Sequence, residues 1–265
     1  MRKEFVIFFA IVLSVYGFIN GYIYYRAYEA VVLTGVISSF NLSLIAILIL
    51  PAYFLGRLLS RKTAALSTGK LKKSGILVAR AVSYIGSLWF GMMVYFLMYL
   101  FIADIFRIIY FALHIPLPVS YTTLFYITSS AALLTGAAGY INARVIRIKN
   151  ITLPLPPNSG ITDEIRFTAL SDIHLGIIMS PARLQNIIQA INKTNPRFVL
   201  IAGDVFDEDI SLVMEERSGE LFSKINAPDG IFAITGNHEY FGGVDRAVEY
   251  LRQSGVTVLR DQAIT

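Results

Sequence analysis

Three short polar motifs in the second half of the chain contain residue types that can bind metal ions or move protons. The motifs are SDIHLG at 171–176, GDVFD at 203–207 and GNHE at 236–239. Asp172 and His174 stand two residues apart, a spacing that directs both side chains to the same side of an extended chain. The types present are carboxylates, an amide and imidazoles, which are common ligands of divalent metals and common proton carriers.

The segments around these motifs alternate between strand-like and helix-like patterns. Apolar runs rich in β-forming residues occupy 165–170, 197–203, 231–235 and 256–259. Helical spacing of apolar residues occurs at 182–193, 212–225 and 244–253, with Gly219 interrupting the second segment. Alternating strands and helices predict βαβ units and a parallel sheet. Ligand sites in such sheets form outside the carboxyl ends of the strands, so we expect the three motifs to meet there.

The candidate site residues are those that directly follow the predicted strands: Asp172, His174, Asp204, Asn237 and His238. An Asp after a strand is often only a helix cap, and each motif taken singly fits that interpretation. Capping does not explain why three strand ends bring carboxylate, amide and imidazole groups to one edge. Gly203 and Gly236 precede key residues, where a tight turn and a close backbone approach are expected.

SDIHLG, GDVFD and GNHEY, in this order and after successive strands, resemble the first three signature blocks of the calcineurin-like metallophosphoesterases. The apolar first half resembles the branch of that family with an N-terminal multi-span membrane domain. The resemblance implies an N-terminal all-α transmembrane bundle of about four helices, followed by an α/β domain that is the first half of a two-sheet αββα sandwich. The expected boundaries are 1–150 for the membrane domain, 151–160 for a Pro-rich linker and 161–265 for the second domain.

The same resemblance implies hydrolysis of a phosphoric monoester or diester by a two-metal mechanism. Asp172 and His174 would bind the first divalent ion, Asp204 would bridge both ions and Asn237 would bind the second. His238 would protonate the leaving group, and Asp207 would support the ligands from behind. The ions would be Mn, Fe, Zn or Mg. From the sequence alone, Asp207 is expected with Glu208 and Asp209 in a solvated acidic turn, and the supporting role of Asp207 is the alternative.

The sequence departs from the family after His238. The family has two later histidine motifs, but no histidine follows His238 and the sequence stops at Thr265. We therefore expect these residues to be the N-terminal part of a longer protein. The alternative is a non-catalytic membrane protein with a partial metal-binding sensor domain. A transporter with a regulatory domain is a third interpretation, and the lack of charges inside the apolar segments argues against it.

The first half of the chain contains four apolar segments long enough to cross a membrane. A spanning helix needs roughly 20 apolar residues, and we expect spans at about 5–25, 34–56, 81–103 and 119–141. The first segment could be a signal peptide, but it lacks a small-residue cleavage site and further spans follow. Asp104 at the end of the third segment is expected to pair with Arg107 at the membrane interface.

Charge separates the two halves and predicts their orientation. Residues 1–150 hold 14 Lys and Arg against 3 Asp and Glu, whereas residues 151–265 hold 9 against 15. Twelve of the basic residues fall on one face of a four-span topology, which predicts that the acidic second domain lies in the cytoplasm. The basic residues flank apolar segments, so the expected partners are membrane lipids rather than nucleic acid. A nucleotide or lipid-linked phosphoester would suit this position.

Overall fold

The computed structural model describes residues 3–64, 70–154, 163–207 and 210–264. The chain divides into two compact units, Met1–Leu59 with Leu77–Val145, and Ser60–Ile76 with Ile146–Thr265. Of the predicted linker at 151–160, residues 155–160 lie outside the described ranges, as do Glu208 and Asp209 of the predicted acidic turn. The exact domain boundaries stay predictions.

The first half of the chain is helical. Its helices are α1 Lys3–Ala27, α2 Ser39–Ile49, α3 Ala52–Ala64, α4 Lys70–Ala112 and α5 Tyr121–Arg144. A π-helical turn, Tyr28–Val32, continues α1. The hydroxyls of Ser38 and Ser120 accept hydrogen bonds from backbone N–H groups in the first turns of α2 and α5, which fixes where these two helices begin.

Within the part of the chain that the structure describes, three helical segments are long and apolar enough to cross a membrane: Val6–Val32, Lys72–Ala112 and Tyr121–Arg144. The pair α2 and α3 is bent by 43°, and it would make a fourth span if the pair counts as one. The bend falls at Pro51, which has no backbone N–H to continue the helix. We expected one segment at 34–56, whereas the structure divides that region between two helices. These apolar helices suggest membrane association.

Asp104 takes part in an ion-pair network that includes residues distant from it in the sequence. The expected pair with Arg107 is present, with Nη1 of Arg107 3.2 Å from Oδ1 of Asp104. Arg26, which is distant in sequence, lies closer, with Nη2 2.6 Å from Oδ2 of Asp104. The Tyr22 hydroxyl donates to the same oxygen at 2.6 Å. The network joins α1 to α4 at one end of the helical unit.

The second half of the chain is an α/β domain with a parallel sheet. The strands are β1 Phe167–Leu170, β2 Phe198–Ala202, β3 Ile231–Ile234 and β4 Thr257–Val258, in the spatial order 1-2-3-4. All three neighbouring pairs are parallel. The intervening helices are α6 Pro181–Asn192, α7 Ser211–Glu215, α8 Asn237–Gly242 and α9 Val244–Gln253. The predicted fold class is confirmed.

Two local features differ from the sequence-based expectation. The predicted helix at 212–225 is divided into α7 and a 3₁₀ segment, Ser218–Lys224. The division occurs at Arg217, which has a left-handed backbone conformation with φ of 53° and therefore cannot continue an α-helix. The second difference is α8, a short helix that directly follows β3 and was not predicted.

One hydrophobic core holds the α/β domain together. The buried residues of β2, such as Val199 and Ile201, belong to the same core as Leu184 and Ile188 of α6 and Leu251 of α9. Alternate residues on the strands point to the opposite face of the sheet. That face carries partly exposed aromatic side chains, and the rings of Phe167 and Phe198 stack there at 5.1 Å. Because all four strands are parallel, their carboxyl ends share one edge of the sheet.

Candidate metal centre

The polar motifs lie in loops at the carboxyl ends of the first three strands. Asp172 and His174 follow β1, Asp204 follows β2, and Asn237 and His238 begin α8 after β3. The loops after β1 and β2 continue to pair beyond the strands. The backbone N–H of His174 donates to the Asp204 carbonyl at 3.0 Å, and that of Leu175 donates to the Val205 carbonyl at 2.8 Å. These bonds keep the two loops side by side.

Three of the candidate residues have left-handed backbone conformations. The φ angles are 56° at Asp172, 49° at His174 and 53° at Asp204. Positive φ is uncommon outside glycine, and Asp and His adopt it more readily than most residue types. Such residues cluster at functional sites, where the surrounding structure holds them in place. Here they turn the chain sharply at the strand ends.

Two glycines let the loops after β2 and β3 approach each other. Gly203 has φ of 79°, and a Cβ on it would lie 2.8 Å from the Cα atom of Gly236. A Cβ on Gly236 would lie 2.1 Å from Oδ1 of Asp204 and 2.6 Å from the Asp204 backbone nitrogen. Contacts as short as these three are not seen for real Cβ atoms, so the close approach predicted for these glycines is present in the structure.

The side chains of His174, Asp204 and His238 converge. One ligand atom from each lies within 4.8 Å of the others, and all three residues are partly buried. The two imidazole rings lie 4.5 Å apart between centroids, at 77° to each other. Atoms bonded to one ion at about 2.0–2.2 Å lie up to about 4.4 Å apart, so small side-chain rotations would suffice for one ion to bind all three.

Two further carboxylates flank the cluster. Oδ1 of Asp172 lies 3.7 Å from Nε2 of His174, and Oδ1 of Asp207 lies 3.7 Å from Nδ1 of His238. The Asp207 side chain is only 15% exposed. Among the described residues, Nδ1 of His238 is shielded from solvent and has no hydrogen-bond partner. A shielded imidazole nitrogen among carboxylates is a donor set that fits a divalent metal.

Asn237 is the remaining candidate ligand. It is exposed at the first residue of α8, adjacent to His238 in sequence. Its role as a ligand stays a prediction, as does the division of the other candidates between two ions.

Sequence reasoning missed Glu239, which is buried beside the cluster and 1% exposed. Its carboxylate accepts hydrogen bonds from the backbone of both adjacent loops. The available signal was its position three residues after Gly236 in GNHE, where an acidic side chain can reach back to the start of a helix. Because α8 was not predicted, Glu239 could not be recognised as a residue in the first turn of a helix.

Comparison with known proteins agrees with the geometry. The calcineurin-like phosphoesterase family matches residues 165–262, which include all four strands and the three motifs. An uncharacterized metallophosphoesterase of Aquifex aeolicus is 29% identical over 136 residues, covering 50% of each chain. A Danio rerio protein named transmembrane protein with metallophosphoesterase domain is 29% identical over 125 residues, 46% of this chain and 28% of its own.

A third relative, an uncharacterized metallophosphoesterase of Bacillus subtilis, is 29% identical over 144 residues, 50% of this chain and 48% of its own. The matched regions therefore span half or less of these relatives' lengths. No solved structure matches the chain. The family match, the named relatives and the converging His and Asp side chains agree: this chain carries a calcineurin-like metallophosphoesterase domain that follows a set of apolar N-terminal helices.

Proposed function

We propose that this chain is part of a membrane-anchored, metal-dependent phosphoesterase that hydrolyses a phosphoric monoester or diester. The single observation that carries the proposal is the convergence of His174, Asp204 and His238 within 4.8 Å at the carboxyl ends of parallel strands. Three separate loops supply these residues, and helix capping alone gives no reason for their side chains to meet. The family match makes phosphoester hydrolysis the expected reaction.

The proposed cofactor is a pair of divalent ions, Mn, Fe, Zn or Mg. Asp172 and His174 would hold one ion, Asp204 would bridge both and Asn237 would hold the other. When bound, such ions lower the pKa of water and neutralise negative charge on the phosphoryl oxygens. Carboxylates at the edge of the sheet suit metal binding because their oxygens only accept. They also release no proton when a metal binds at neutral pH.

His238 lies close enough to the cluster to bind an ion, but we propose it instead as the proton donor to the leaving-group oxygen. Its Nδ1 faces Oδ1 of Asp207 at 3.7 Å. That contact leaves the other ring nitrogen as the group that can deliver the proton. The backbone N–H of His238 donates to Oδ1 of Asp204 at 3.0 Å, which fixes the Asp204 carboxylate relative to the same helix start.

The proposed substrate is an ester at the membrane surface, either a nucleotide or a lipid-linked compound. The apolar helices support membrane anchoring. The excess of Lys and Arg next to those helices supports a cytoplasmic position for the phosphoesterase domain and contacts with anionic lipid headgroups.

The test of this function is the Asp204→Asn variant of the complete protein as isolated from its source, assayed in detergent. The amide keeps an oxygen for the His238 N–H but removes the negative charge needed between two cations. We expect Mn²⁺-dependent hydrolysis of bis-p-nitrophenyl phosphate and p-nitrophenyl phosphate to fall by at least about 100-fold, because the loss of a direct ligand exceeds the effect of losing a supporting group.

The matched control is Asp229→Asn. Asp229 lies before β3, at the opposite end of the strand from the cluster, and its carboxylate pairs with Arg197 at 2.5 Å. We expect this variant to keep activity within about twofold, because exposed ion pairs contribute little. Equal activity in Asp204→Asn and the unaltered chain would contradict the proposal. Tight binding of a single ion without turnover would favour the metal-sensing alternative instead.

A further inference from the structure

Glu239 is a buried carboxylate that connects two loops of the candidate site. Its Oε2 accepts hydrogen bonds from the backbone N–H of Asp204 at 3.0 Å and of Gly236 at 2.8 Å. Its Oε1 accepts one from the backbone N–H of Phe206 at 2.9 Å. The side chain is 1% exposed, so these three donors take the place of water around the charge.

The three donors belong to two different segments. Asp204 and Phe206 lie in the loop after β2, whereas Gly236 directly precedes α8, on which Glu239 itself lies. One carboxylate therefore fastens the loop that carries Asp204 to the helix start that carries Asn237 and His238. The donors in the β2 loop are separated from Glu239 by 35 and 33 residues in sequence.

The arrangement depends on a group that only accepts hydrogen bonds. An ionised carboxylate has two acceptor oxygens, and bonds from N–H groups to it are stronger than bonds between neutral groups. A glutamine of the same size has one oxygen and one NH₂ group. In either orientation its NH₂ group would face at least one of the backbone N–H donors, so at least one donor would lose its acceptor.

We propose that Glu239 is a positioning residue for the metal centre: it holds Asp204 at the distance from Asn237 and His238 that metal binding requires. The inference rests on the proposed metal site, because the spacing matters only if both loops supply ligands. Glu239 would not touch the metal or the substrate. Its effect would pass through the backbone of the residues that do.

The Tyr250→Phe variant is a control in the same domain that distinguishes a positioning role of Glu239 from a purely structural one. The Tyr250 hydroxyl accepts a hydrogen bond from the Gly219 N–H at 3.1 Å and donates to the Val213 carbonyl at 3.2 Å. Burial raises the pKa of Tyr250, which keeps this hydroxyl protonated as a donor. Tyr250→Phe removes both bonds but touches none of the candidate ligands, so it should lower stability without changing the spacing of the loops.

The experiment compares Glu239→Gln and Tyr250→Phe in the full chain, using calorimetric titration with Mn²⁺ and the hydrogen exchange of backbone amides. For Glu239→Gln we expect Mn²⁺ affinity to fall by about tenfold or more, as is usual when a supporting group of a metal site is lost. We also expect faster exchange in both loops together, at 203–207 and at 235–239. For Tyr250→Phe we expect an affinity within about twofold of the unaltered chain, because phenylalanine keeps the ring that packs against Phe206 and loses only the hydroxyl.

Unchanged Mn²⁺ affinity in Glu239→Gln would overturn the inference and leave the metal site standing. Equal losses in both variants would also overturn it, because the effect would then follow stability rather than spacing. If the unaltered chain bound no Mn²⁺, the proposed metal site itself would fail, and the inference would fail with it.

Discussion

His174, Asp204 and His238 come from three separate loops, and their meeting depends on backbone conformations that few residue types adopt. Their types and order could be read from the sequence, because metal-competent residues directly after strands are rare without a reason. The residues that contact them could not be identified from the sequence. The contact between Asp207 and His238 and two of the three hydrogen bonds of Glu239 join residues more than 30 positions apart, and no local pattern specifies which of them will touch.

At the residue scale, the closest backbone approach in the site predicts the effect of one added methyl group. In Gly236→Ala the new Cβ would lie 2.1 Å from Oδ1 of Asp204 and 2.6 Å from its backbone nitrogen. The backbone of the loop must shift, because a nitrogen in the main chain cannot rotate away. We expect Mn²⁺ affinity to fall by at least about tenfold, measured by calorimetric titration.

Gly91→Ala is the matched control, since a Cβ there meets no atom within 4 Å and the residue lies within α4. Alanine is a better helix former than glycine, so this variant should fold at least as well as the unaltered chain. Normal Mn²⁺ binding by Gly236→Ala would show that the two loops are looser than the distances indicate.

At the element scale, the strands and the helices α6 and α9 were predictable within a few residues because burial repeats along them, whereas α4 extends well beyond the predicted segment at 81–103. β2 is a continuous apolar run and α6 has apolar residues at helical spacing, and the structure places both close to their predicted limits. The points at which helices are divided or bent, and the short helix α8, were harder to predict. The division at Arg217 depends on a left-handed residue, and the six residues of α8 are too few to show a period. The bend at Pro51 was visible as a proline, but α2 and α3 together still look like one apolar run.

The face of α6 that packs on the sheet predicts a stability difference between two isoleucines. Ile188 is 2% exposed in the core of the α/β domain, whereas Ile178 is 41% exposed in the loop before α6. We expect Ile188→Ala to lower the free energy of unfolding by about 2–5 kcal/mol, because it leaves a cavity. Ile178→Ala should lower it by less than about 1 kcal/mol.

The measurement is urea unfolding of the α/β domain within the full chain, followed by the fluorescence of a dye attached to that domain. Similar losses in the two variants would mean that α6 does not pack on the sheet as described.

At the scale of the whole molecule, charge predicts the side of the membrane on which the phosphoesterase domain lies. The basic stretch between the second and third predicted spans and the stretch after the fourth predict a cytoplasmic domain. Residues 60–76 belong to the same compact unit as the α/β domain, and Nζ of Lys72 lies 2.5 Å from Oε2 of Glu215 within that unit. The shared unit and the ion pair between Lys72 and Glu215 both support a position of the basic stretch and the α/β domain on the same side of the membrane.

The absence of cysteine from the sequence makes this orientation directly testable. Val119, between α4 and α5, and Ser223, in the α/β domain, are both exposed, and each can be changed to cysteine separately. We expect a maleimide that cannot cross membranes to label the Val119→Cys variant in intact cells. The Ser223→Cys variant should be labelled only after the cells are permeabilised, since a bilayer would shield it.

Two outcomes of the labelling would contradict the predicted topology. Labelling of Ser223→Cys in intact cells would place the domain outside and contradict the charge argument. Labelling of both variants in intact cells would mean that the region between α4 and α5 shares a side with the domain, which excludes a topology of four spans.

The central claim is that the three strand-end loops form one divalent metal centre. Anomalous diffraction from crystals of the full chain grown with Zn²⁺ tests it most directly. We predict a peak within about 2.2 Å of an imidazole nitrogen of His174 and of a carboxylate oxygen of Asp204, the ordinary bond lengths of zinc. A zinc-loaded crystal with no peak at His174, Asp204 and His238, or with its peaks elsewhere, would contradict the account.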